Sequence, residues 1–471
     1  MKTPYTLLRI FCVLFFALSL NTVTFAQLAS SISDGNSTLR QISLDISEFQ
    51  LQLSAAPMEY TDISKSAPFQ LFLPTQKGER LFNVVESPIM DDEFATTYPD
   101  FKTYRVQAVD NSQVIGRISV TPYGMNGLIL SEEGMLGISP VDLLNPVVHN
   151  VYVGDSPDSL TEGFECAMNE VAEAESANKS VTGISNGANL RTYNLAIVTT
   201  GEFHDANGGT VAAASAVVVA TMNAIQLMYD KDIAVRFNVL TPIVYTDFNT
   251  DPFVPGNSRT QMAASAVAAN FTPGQYDIGH AFHDQNQLPA LHSGGGVAGL
   301  GVVCSTSTSG TGFRRAAGWS GSFNNTTNGW YQLAAHEFGH MFDAPHTFNG
   351  SGASNCDGNI STSTSYEIAS GTTIMSYNGI CGAGQNIPAS GVDDNYFHAH
   401  SLERMVNYIN GQACGTMTAT GNTPPVITAD VCGSAIILPV STPFTLTGGG
   451  TDADSDNILY TWEQYDEDGM G

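Results

Sequence analysis

The feature that most constrains how this chain can fold is a set of three histidines, His336, His340 and His346, spread over eleven residues. Residues four apart lie on one face of an α-helix, so His336 and His340 can both approach one point. The pattern predicts a helix over 329–342, and Pro345 indicates that this helix has ended before His346. The chain must then turn back so that His346 can join the other two imidazoles.

The three imidazoles have the spacing of a zinc site with three protein ligands. Such a site keeps a fourth position open for water or substrate, which catalysis requires. Glu337 follows the first histidine and stands beside the metal, where its carboxylate can deprotonate a zinc-bound water. The segment therefore predicts a zinc-dependent hydrolase with Glu337 as its general base.

Helical and extended patterns alternate around this segment. Helices are predicted over 209–229, 258–270, 329–342 and 396–410, and strands over 192–200, 233–245, 276–282 and 299–304. Strands mixed with helices predict an α/β layer structure.

The zinc segment resembles the signature of the metzincin clan of peptidases, HExxHxxGxxH followed by a methionine turn. Residues 372–377 (TTIMSY) are a candidate for that turn, and the resemblance implies that Met375 lies beneath the metal. In a thermolysin-like peptidase the third ligand would instead be a glutamate, so His346 and the turn disfavour that alternative. Within the clan, residues 190–415 resemble the reprolysin-like (adamalysin-type) peptidases of secreted bacterial proteins.

This resemblance implies a metzincin-like α/β (α+β) catalytic domain with a mixed twisted sheet and an active-site helix. It also implies an endopeptidase whose protein or peptide substrates lie extended along a sheet-edge strand near 296–304.

Two positions near the site depart from a single family pattern. Asp343 stands where the clan usually has a glycine in the left-handed conformation, which aspartate also tolerates. We predict a structural role for Asp343, with a ligand role as the alternative. Tyr377 stands two residues after Met375, where a tyrosine of astacin-like relatives approaches zinc and stabilises the oxyanion. Reprolysin-like peptidases are not described with this ligand, so the catalytic role of Tyr377 is open.

Four cysteines lie in or beside the predicted catalytic region, and sequence alone does not choose among their three possible pairings. The resemblance suggests that Cys356 pairs with Cys381 around the methionine turn, and that Cys304 pairs with Cys414. Cys166 is then left over, in the predicted propeptide. A thiolate can fill the open zinc position, so Cys166 is a candidate latency ligand. An incidental cysteine, or one paired with Cys432, is the alternative.

The chain divides into five segments. Residues 1–26 have two basic residues, a short apolar run and a small residue at Ala26, which predicts a secretory signal peptide and a secreted protein. No stable membrane span is expected after its removal. Short alternating runs over 27–185 predict a β-rich propeptide, with a stable N-terminal domain as the alternative. The catalytic domain over 190–415 is followed by a linker over 416–425, and 426–471 resembles the start of a truncated immunoglobulin-like or PKD-like β-sandwich.

Charge limits the partners of this protein. A net charge of −28, from 45 acidic and 17 basic residues, disfavours nucleic acid, because phosphate binding needs clustered lysine and arginine. Asp452, Asp454 and Asp456 alternate as in some calcium loops, so calcium is a second candidate cofactor, with a solvated acidic turn as the alternative. Five further histidines form no recognised motif and are expected to be structural or at the surface: His280, His283, His292, His398 and His400.

The sequence thus predicts a secreted zinc metalloendopeptidase made as a zymogen. The alternative is a secreted adhesion or binding protein with an inactive peptidase-like domain. Glu337 disfavours this alternative, because a structural zinc site needs no general base.

Overall fold

The computed structural model describes residues 39–154, 184–284, 295–322, 325, 327–351, 356–382, 384–387, 394–427, 438–445 and 447–465. The predicted signal peptide, Cys166, His292 and Cys432 lie outside the described residues.

Residues 39–154, which we call the N-terminal unit, form one antiparallel sheet with short helices. Its strands are β1 (Leu39–Ser43), β2 (Phe69–Thr75), β3 (Gly78–Glu86), β4 (Lys102–Ala108), β5 (Ile115–Thr121), β6 (Gly124–Ser131), β7 (Gly134–Pro140) and β8 (Val148–Val153). The helices are α1 (Ile46–Leu53), α2 (Asp62–Ser66) and α3 (Asp92–Thr97). The β-rich N-terminal region expected from the alternating sequence is confirmed.

The antiparallel sheet curves so that its two edges approach each other. Its strand order is β1-β8-β7-β6-β5-β4-β3-β2. The guanidinium of Arg40, on β1, donates to the carbonyls of Thr75 and Gly78 at 2.6 Å, across the β2–β3 turn. An apolar core fills the sheet and includes Phe49 and Leu53 of helix α1.

The second unit is a mixed sheet with helices. Its strands are β9 (Asn189–Thr199), β10 (Val235–Val239), β11 (Ile243–Val244), β12 (Ile278–Asp284), β13 (Gly295–Ala298), β16 (Gly318–Ser322) and β17 (Thr416–Ala419), with a small hairpin of β14 (Thr308–Ser309) and β15 (Gly312–Phe313). The helices are α4 (Gly201–Ala206), α5 (Val211–Ile233), α6 (Arg259–Asn270), α7 (Asn328–Met341) and α8 (Ala399–Gly411), with a 3₁₀ turn at Arg314–Ala316. A further pair, β18 (Val426–Ile427) and β19 (Gly450–Thr451), lies near the C-terminus.

The mixed sheet has the order β10-β9-β12-β16-β13, and β11 and β17 also pair with β9. Strands β10, β9, β12 and β16 run parallel, whereas β13 at the opposite edge is antiparallel to β16. The expected metzincin-like α/β fold with a mixed sheet and an active-site helix is confirmed. Strand β17 adds Thr416–Ala419, from the predicted linker, to this sheet.

One predicted strand is wrong. Residues 299–304 form turns, and the edge strand lies just before them, at Gly295–Ala298. The backbone N–H groups of Gly301 and Val302 donate to the carbonyls of His340 and Met341, at 3.0 and 2.9 Å. These carbonyls belong to the last turn of helix α7, where the final carbonyls lack the usual donor four residues later. That of His340 also accepts from the N–H of Asp343, at 2.9 Å. The apolar run therefore caps a helix instead of extending the sheet.

Helix α5 is the single helix of the described residues with the length and composition of a membrane span, at a mean hydropathy of 1.7. Within the protein, 89% of that apolar window is buried. Its apolar character is accounted for by packing in the core, as in the central helix of a globular protein.

Both disulfides implied by the resemblance are present, Cys304–Cys414 and Cys356–Cys381. The first ties the end of the helix-capping turn to the segment after helix α8. The second encloses the loop between the third histidine and the end of the methionine turn.

Candidate metal centre and active site

Helix α7 carries the first two histidines and ends with a sharp reversal. It begins at the N-cap Thr327, whose hydroxyl accepts from the N–H of Trp330 at 3.3 Å. It ends at Phe342, after which Asp343 takes a left-handed conformation with φ of 78°. The N–H of Ala344 then donates back to the carbonyl of Gly339 at 3.0 Å. This reversal directs His346 toward the helix it has just left.

The three predicted ligands converge on one point. The Nε2 atom of His346 lies 3.1 Å from that of His336 and 3.2 Å from that of His340. Ligands about 2.0–2.1 Å from a tetrahedral zinc ion lie roughly 3.3 Å apart, so these separations fit zinc closely. All three side chains are buried.

Each imidazole is oriented through its other nitrogen. The three Nδ1 atoms donate to backbone carbonyls at 2.6–2.7 Å: His336 to Ile374, His340 to Ala344, and His346 to Asn359. A carbonyl can only accept, so each Nδ1 carries the proton and each Nε2 offers its lone pair to the centre. The donor set is that of a metal site.

Burial keeps these imidazoles neutral. It lowers the pKa of His336 to about 4, against the hydrogen bond to Ile374, which raises it. Burial also lowers the pKa values of His340 and His346 well below the ordinary range, and the neighbouring imidazoles lower them further. Neutral imidazole is the form that binds a metal ion.

Glu337 follows His336 on helix α7, and its side chain lies against the edge strand β13. Its side chain is fully buried, and it packs directly on Gly296. A Cβ atom at position 296 would lie 2.1 Å from Oε1 of Glu337. Only glycine leaves room for the carboxylate here. The sequence placed Gly296 in a substrate-binding segment but gave no sign of this contact.

Met375 lies under the helix that carries the ligands. Its side chain is fully buried. A Cβ atom at Gly339 of helix α7 would lie 2.4 Å from the Met375 sulfur, so glycine allows this close packing. The carbonyls of Ile374 and Met375 accept from His336 Nδ1 and from the N–H of Thr347. The methionine turn is thus bonded to a ligand and to the residue after the third ligand.

Tyr377 is placed beside two of the ligands. Its ring centroid lies 4.8 Å from that of His346 and 6.0 Å from that of His336. The ring stacks on Phe348 at 4.4 Å and is almost completely buried. Contact between its phenol and the metal stays a prediction.

The carboxylate of Asp343 pairs with Arg404 of helix α8. The Nε and Nη2 atoms of Arg404 lie 3.1 Å from Oδ2 and Oδ1 of Asp343. The arrangement favours the structural role over the ligand role, because both carboxylate oxygens are engaged by a guanidinium.

Glu367 organises the loop around the site, and the sequence gave no signal for it. Its carboxylate accepts from the N–H groups of Thr372 and Thr373 at 2.9 and 3.0 Å, and from the hydroxyl of Thr373 at 2.6 Å. It also accepts from the hydroxyl of Thr347, next to the third ligand. One carboxylate therefore joins the third-ligand segment to the methionine turn.

Two further groups of potential ligands lie elsewhere in the described residues. Asp277 lies near Cys304 and Cys414, but these cysteines form a disulfide and offer no thiolate. The carboxylates of residues 452, 454 and 456 lie within 4.8 Å of one another and are mainly exposed. Exposed acidic groups often lie together without a cation, so calcium is unsupported.

The described histidines outside the centre take other positions. His280 is buried in β12, stacks on Phe338 at 4.5 Å and bonds Ser320 at 2.8 Å, and burial lowers its pKa to about 3. His283 is buried in the same strand. His398 is the N-cap of helix α8, where its ring accepts from the N–H of His400.

Comparison with known proteins identifies this domain. Residues 189–415 match the family model of the reprolysin-like metallopeptidases of family M12B. The chain matches no curated protein sequence. It is similar to the crystal structure of metalloproteinase-II from Bacteroides fragilis, with 11% sequence identity, covering 78% of this chain and 96% of that chain at a TM-score of 0.43. The domain over residues 189–415 belongs, through its family match, to the reprolysin-like metallopeptidases of family M12B.

Proposed function

We propose that the protein is a secreted zinc endopeptidase, made as a zymogen, in which Glu337 activates the attacking water. Membership of a metallopeptidase family implies a metal-dependent hydrolase acting on proteins or peptides. The observation that carries the proposal is the convergence of three imidazole Nε2 atoms at 3.1–3.2 Å, next to a buried glutamate. Zinc bound there would supply a Lewis acid for the scissile carbonyl and lower the pKa of water to about 7.

Different residues of the chain have different roles in the proposed hydrolysis. Glu337 accepts the proton of the attacking water and passes it to the leaving nitrogen. Its contact with Gly296 places the carboxylate beside the edge strand β13, along which an extended peptide can pair. Tyr377 would donate a hydrogen bond to the developing oxyanion, as the resemblance to astacin-like relatives suggests.

The central test replaces Glu337 by glutamine, which keeps the shape of the side chain and removes its basicity. We expect Glu337→Gln to retain zinc, measured by mass spectrometry of the purified protein, and to lose casein hydrolysis by about 10²–10⁴-fold. A chelator should abolish activity in the wild type, and added zinc should restore it.

Two outcomes would contradict the proposal. Equal hydrolysis by wild type and Glu337→Gln would remove the general base from the mechanism. Absence of hydrolysis by the processed, zinc-loaded wild type would favour the alternative, a binding protein with an inactive peptidase-like domain.

Latency through Cys166 and export through the signal peptide are supported by the sequence alone, since both segments lie outside the described residues. If Cys166 blocks the centre, unprocessed Cys166→Ala should hydrolyse casein whereas unprocessed wild type should not. If residues 1–26 are a signal peptide, the protein recovered from culture medium should begin at Gln27.

A further inference from the structure

The contact between the N-terminal unit and the metallopeptidase domain is built like a protein interior. Helix α5 of the domain is buried at every residue from Ala213 to Tyr229, so it has no exposed face over more than four turns. It packs on the domain's own strand β10 and on strands β5 and β6 of the N-terminal unit. A helix that is buried all round needs cover on both sides. The N-terminal unit supplies part of that cover.

The apolar side chains of the two parts form a single cluster. Ile89, Phe94, Phe101, Leu128 and Met135 of the N-terminal unit are each at most 3% exposed and lie in the same buried cluster as helix α5. Removing the N-terminal unit would bring the facing apolar side chains of the helix into water. Large exposed apolar patches are uncommon on soluble monomers and cause association.

A buried cation crosses the same boundary. Arg117, on strand β5, is 1% exposed. Its guanidinium donates to Asn223 at 2.8 Å and to Asp230 at 2.9 Å, both on helix α5, and to Ser87 of its own unit. Burial lowers the pKa of Arg117 to about 10, which leaves it charged at neutral pH. A buried charge with all its partners in place fixes the register of the two surfaces.

Backbone hydrogen bonds also join the N-terminal unit to the metallopeptidase domain. The N–H of Asp91 donates to the carbonyl of Val239 at 3.0 Å, and the N–H of Val239 donates to the carbonyl of Ile89 at 2.7 Å. Val239 belongs to β10, an edge strand of the mixed sheet. The N-terminal unit therefore covers a sheet edge that would otherwise present unpaired backbone groups.

This attachment lies at the far side of the sheet from the catalytic glutamate. Strand β10 is one edge of the sheet, and β13, whose Gly296 touches Glu337, is the other. Near helix α7, the side chain of Asn328 donates to the carbonyls of Met135 and Gly154. Asn328 is the first residue of the helix, two turns before His336. An attached N-terminal unit is thus compatible with an open substrate edge.

We propose that the N-terminal unit is a permanent subunit of the peptidase, which stays bound to the metallopeptidase domain after the chain between them is cut. The mature protein is then a complex of two chains derived from one, with residues 39–154 as the partner that covers helix α5. The proposal rests on the proposed zymogen only in assuming that such a cut occurs in nature.

The test uses the full chain with a recognition sequence for a site-specific protease inserted between residues 155 and 183. After complete cutting, the two fragments should co-elute in size-exclusion chromatography at a 1:1 ratio. They should do so both in about 0.1 M salt, near the physiological ionic strength, and in about 1 M salt, which screens exposed charges. Separation of the fragments would overturn the proposal, whether the catalytic fragment stays soluble or precipitates. Co-elution does not depend on peptidase activity, so a failure of the proposed function is distinguished by the casein assay on the same fractions.

A matched pair of variants locates the contact. Arg117→Met should weaken the association of the cut fragments at least about tenfold, because it removes the buried hydrogen bonds that Asn223 and Asp230 accept across the boundary. Arg80→Met removes an arginine whose partners Asp110 and Glu132 both lie within the N-terminal unit, and should leave the association unchanged. If Arg117→Met fails to fold before cutting, Asn328→Ala serves as the interface variant. Equal association of the wild type, the interface variant and Arg80→Met would contradict the assigned contact.

Discussion

At residue 343, aspartate occupies a backbone conformation that glycine adopts at lower cost, with φ of 78°. Left-handed backbone costs an ordinary L-residue about 1–2 kcal/mol, and less for aspartate or asparagine. The half-buried ion pair with Arg404 offsets part of this, by roughly 0.2–1 kcal/mol. The two effects are of similar size, so the departure from glycine is tolerated.

This balance gives a prediction for two substitutions. Asp343→Gly should change the free energy of unfolding by less than about 1 kcal/mol, since it relieves the backbone cost and loses the ion pair. Asp343→Ala keeps the unfavourable backbone and loses the pair, and should destabilise by about 1–2 kcal/mol. Urea unfolding of the zinc-loaded protein measures both, and zinc should be retained in each. Loss of zinc from Asp343→Gly would instead indicate a ligand role.

A second residue-scale prediction concerns Gly296. Gly296→Ala places a methyl group 2.1 Å from the unshifted Oε1 of Glu337, so the carboxylate must move. A displacement of about 1 Å at a catalytic group can reduce activity by about 10². We expect that loss in kcat with zinc content unchanged. Gly274→Ala is the control, because nothing lies within 4 Å of its added methyl. Equal kcat for both variants would remove Gly296 as a determinant of the Glu337 position.

At the scale of elements, the sequence was informative where contacts are local. Helix α7 was predicted over 329–342 and is found at Asn328–Met341, because its apolar period and the following Pro345 act within a few residues. The strand predicted over 299–304 is wrong because the N–H groups of residues 301–303 donate to the carbonyls of His340 and Met341, which lie far along the chain. Glu367 and Gly296 were missed for the same reason. Their roles depend on contacts that only the folded chain creates.

Glu367 provides the prediction at this scale. Glu367→Gln places an amide where two backbone N–H groups and two hydroxyls donate, so some of these donors lose their acceptor. We expect a destabilisation of about 1.5–3 kcal/mol and zinc affinity reduced about 10–100-fold in chelator competition. Glu132→Gln, at an exposed ion pair of the N-terminal unit, is the matched control. Unchanged zinc affinity would show that the methionine turn holds its place without this carboxylate.

For the whole molecule, the family match indicates a metallopeptidase domain, and the convergence of His336, His340 and His346 was predictable from eleven residues of sequence. The close packing of the N-terminal unit on helix α5 could not be predicted from the sequence. The helix sequence is apolar on every side, which predicts burial but does not identify what covers it. That information lies in the pairing of surfaces far apart in the chain.

The turn at residues 301–303, which caps helix α7, links metal binding to the cellular compartment in which the disulfides form. Cys304 follows this cap directly and is bonded to Cys414, 110 residues away. We expect the double variant Cys304→Ser with Cys414→Ser to lower the free energy of unfolding by about 2–5 kcal/mol. This variant should also release zinc at lower chelator concentrations than the wild type. Cys356→Ser/Cys381→Ser is the comparison for a shorter loop, with a separation of 25 residues. Unaltered zinc release in Cys304→Ser/Cys414→Ser would uncouple the cap from the metal centre. If this disulfide strengthens metal binding, we expect the chain to hold its metal weakly in a reducing compartment. It would then bind the metal tightly only where thiols are oxidised.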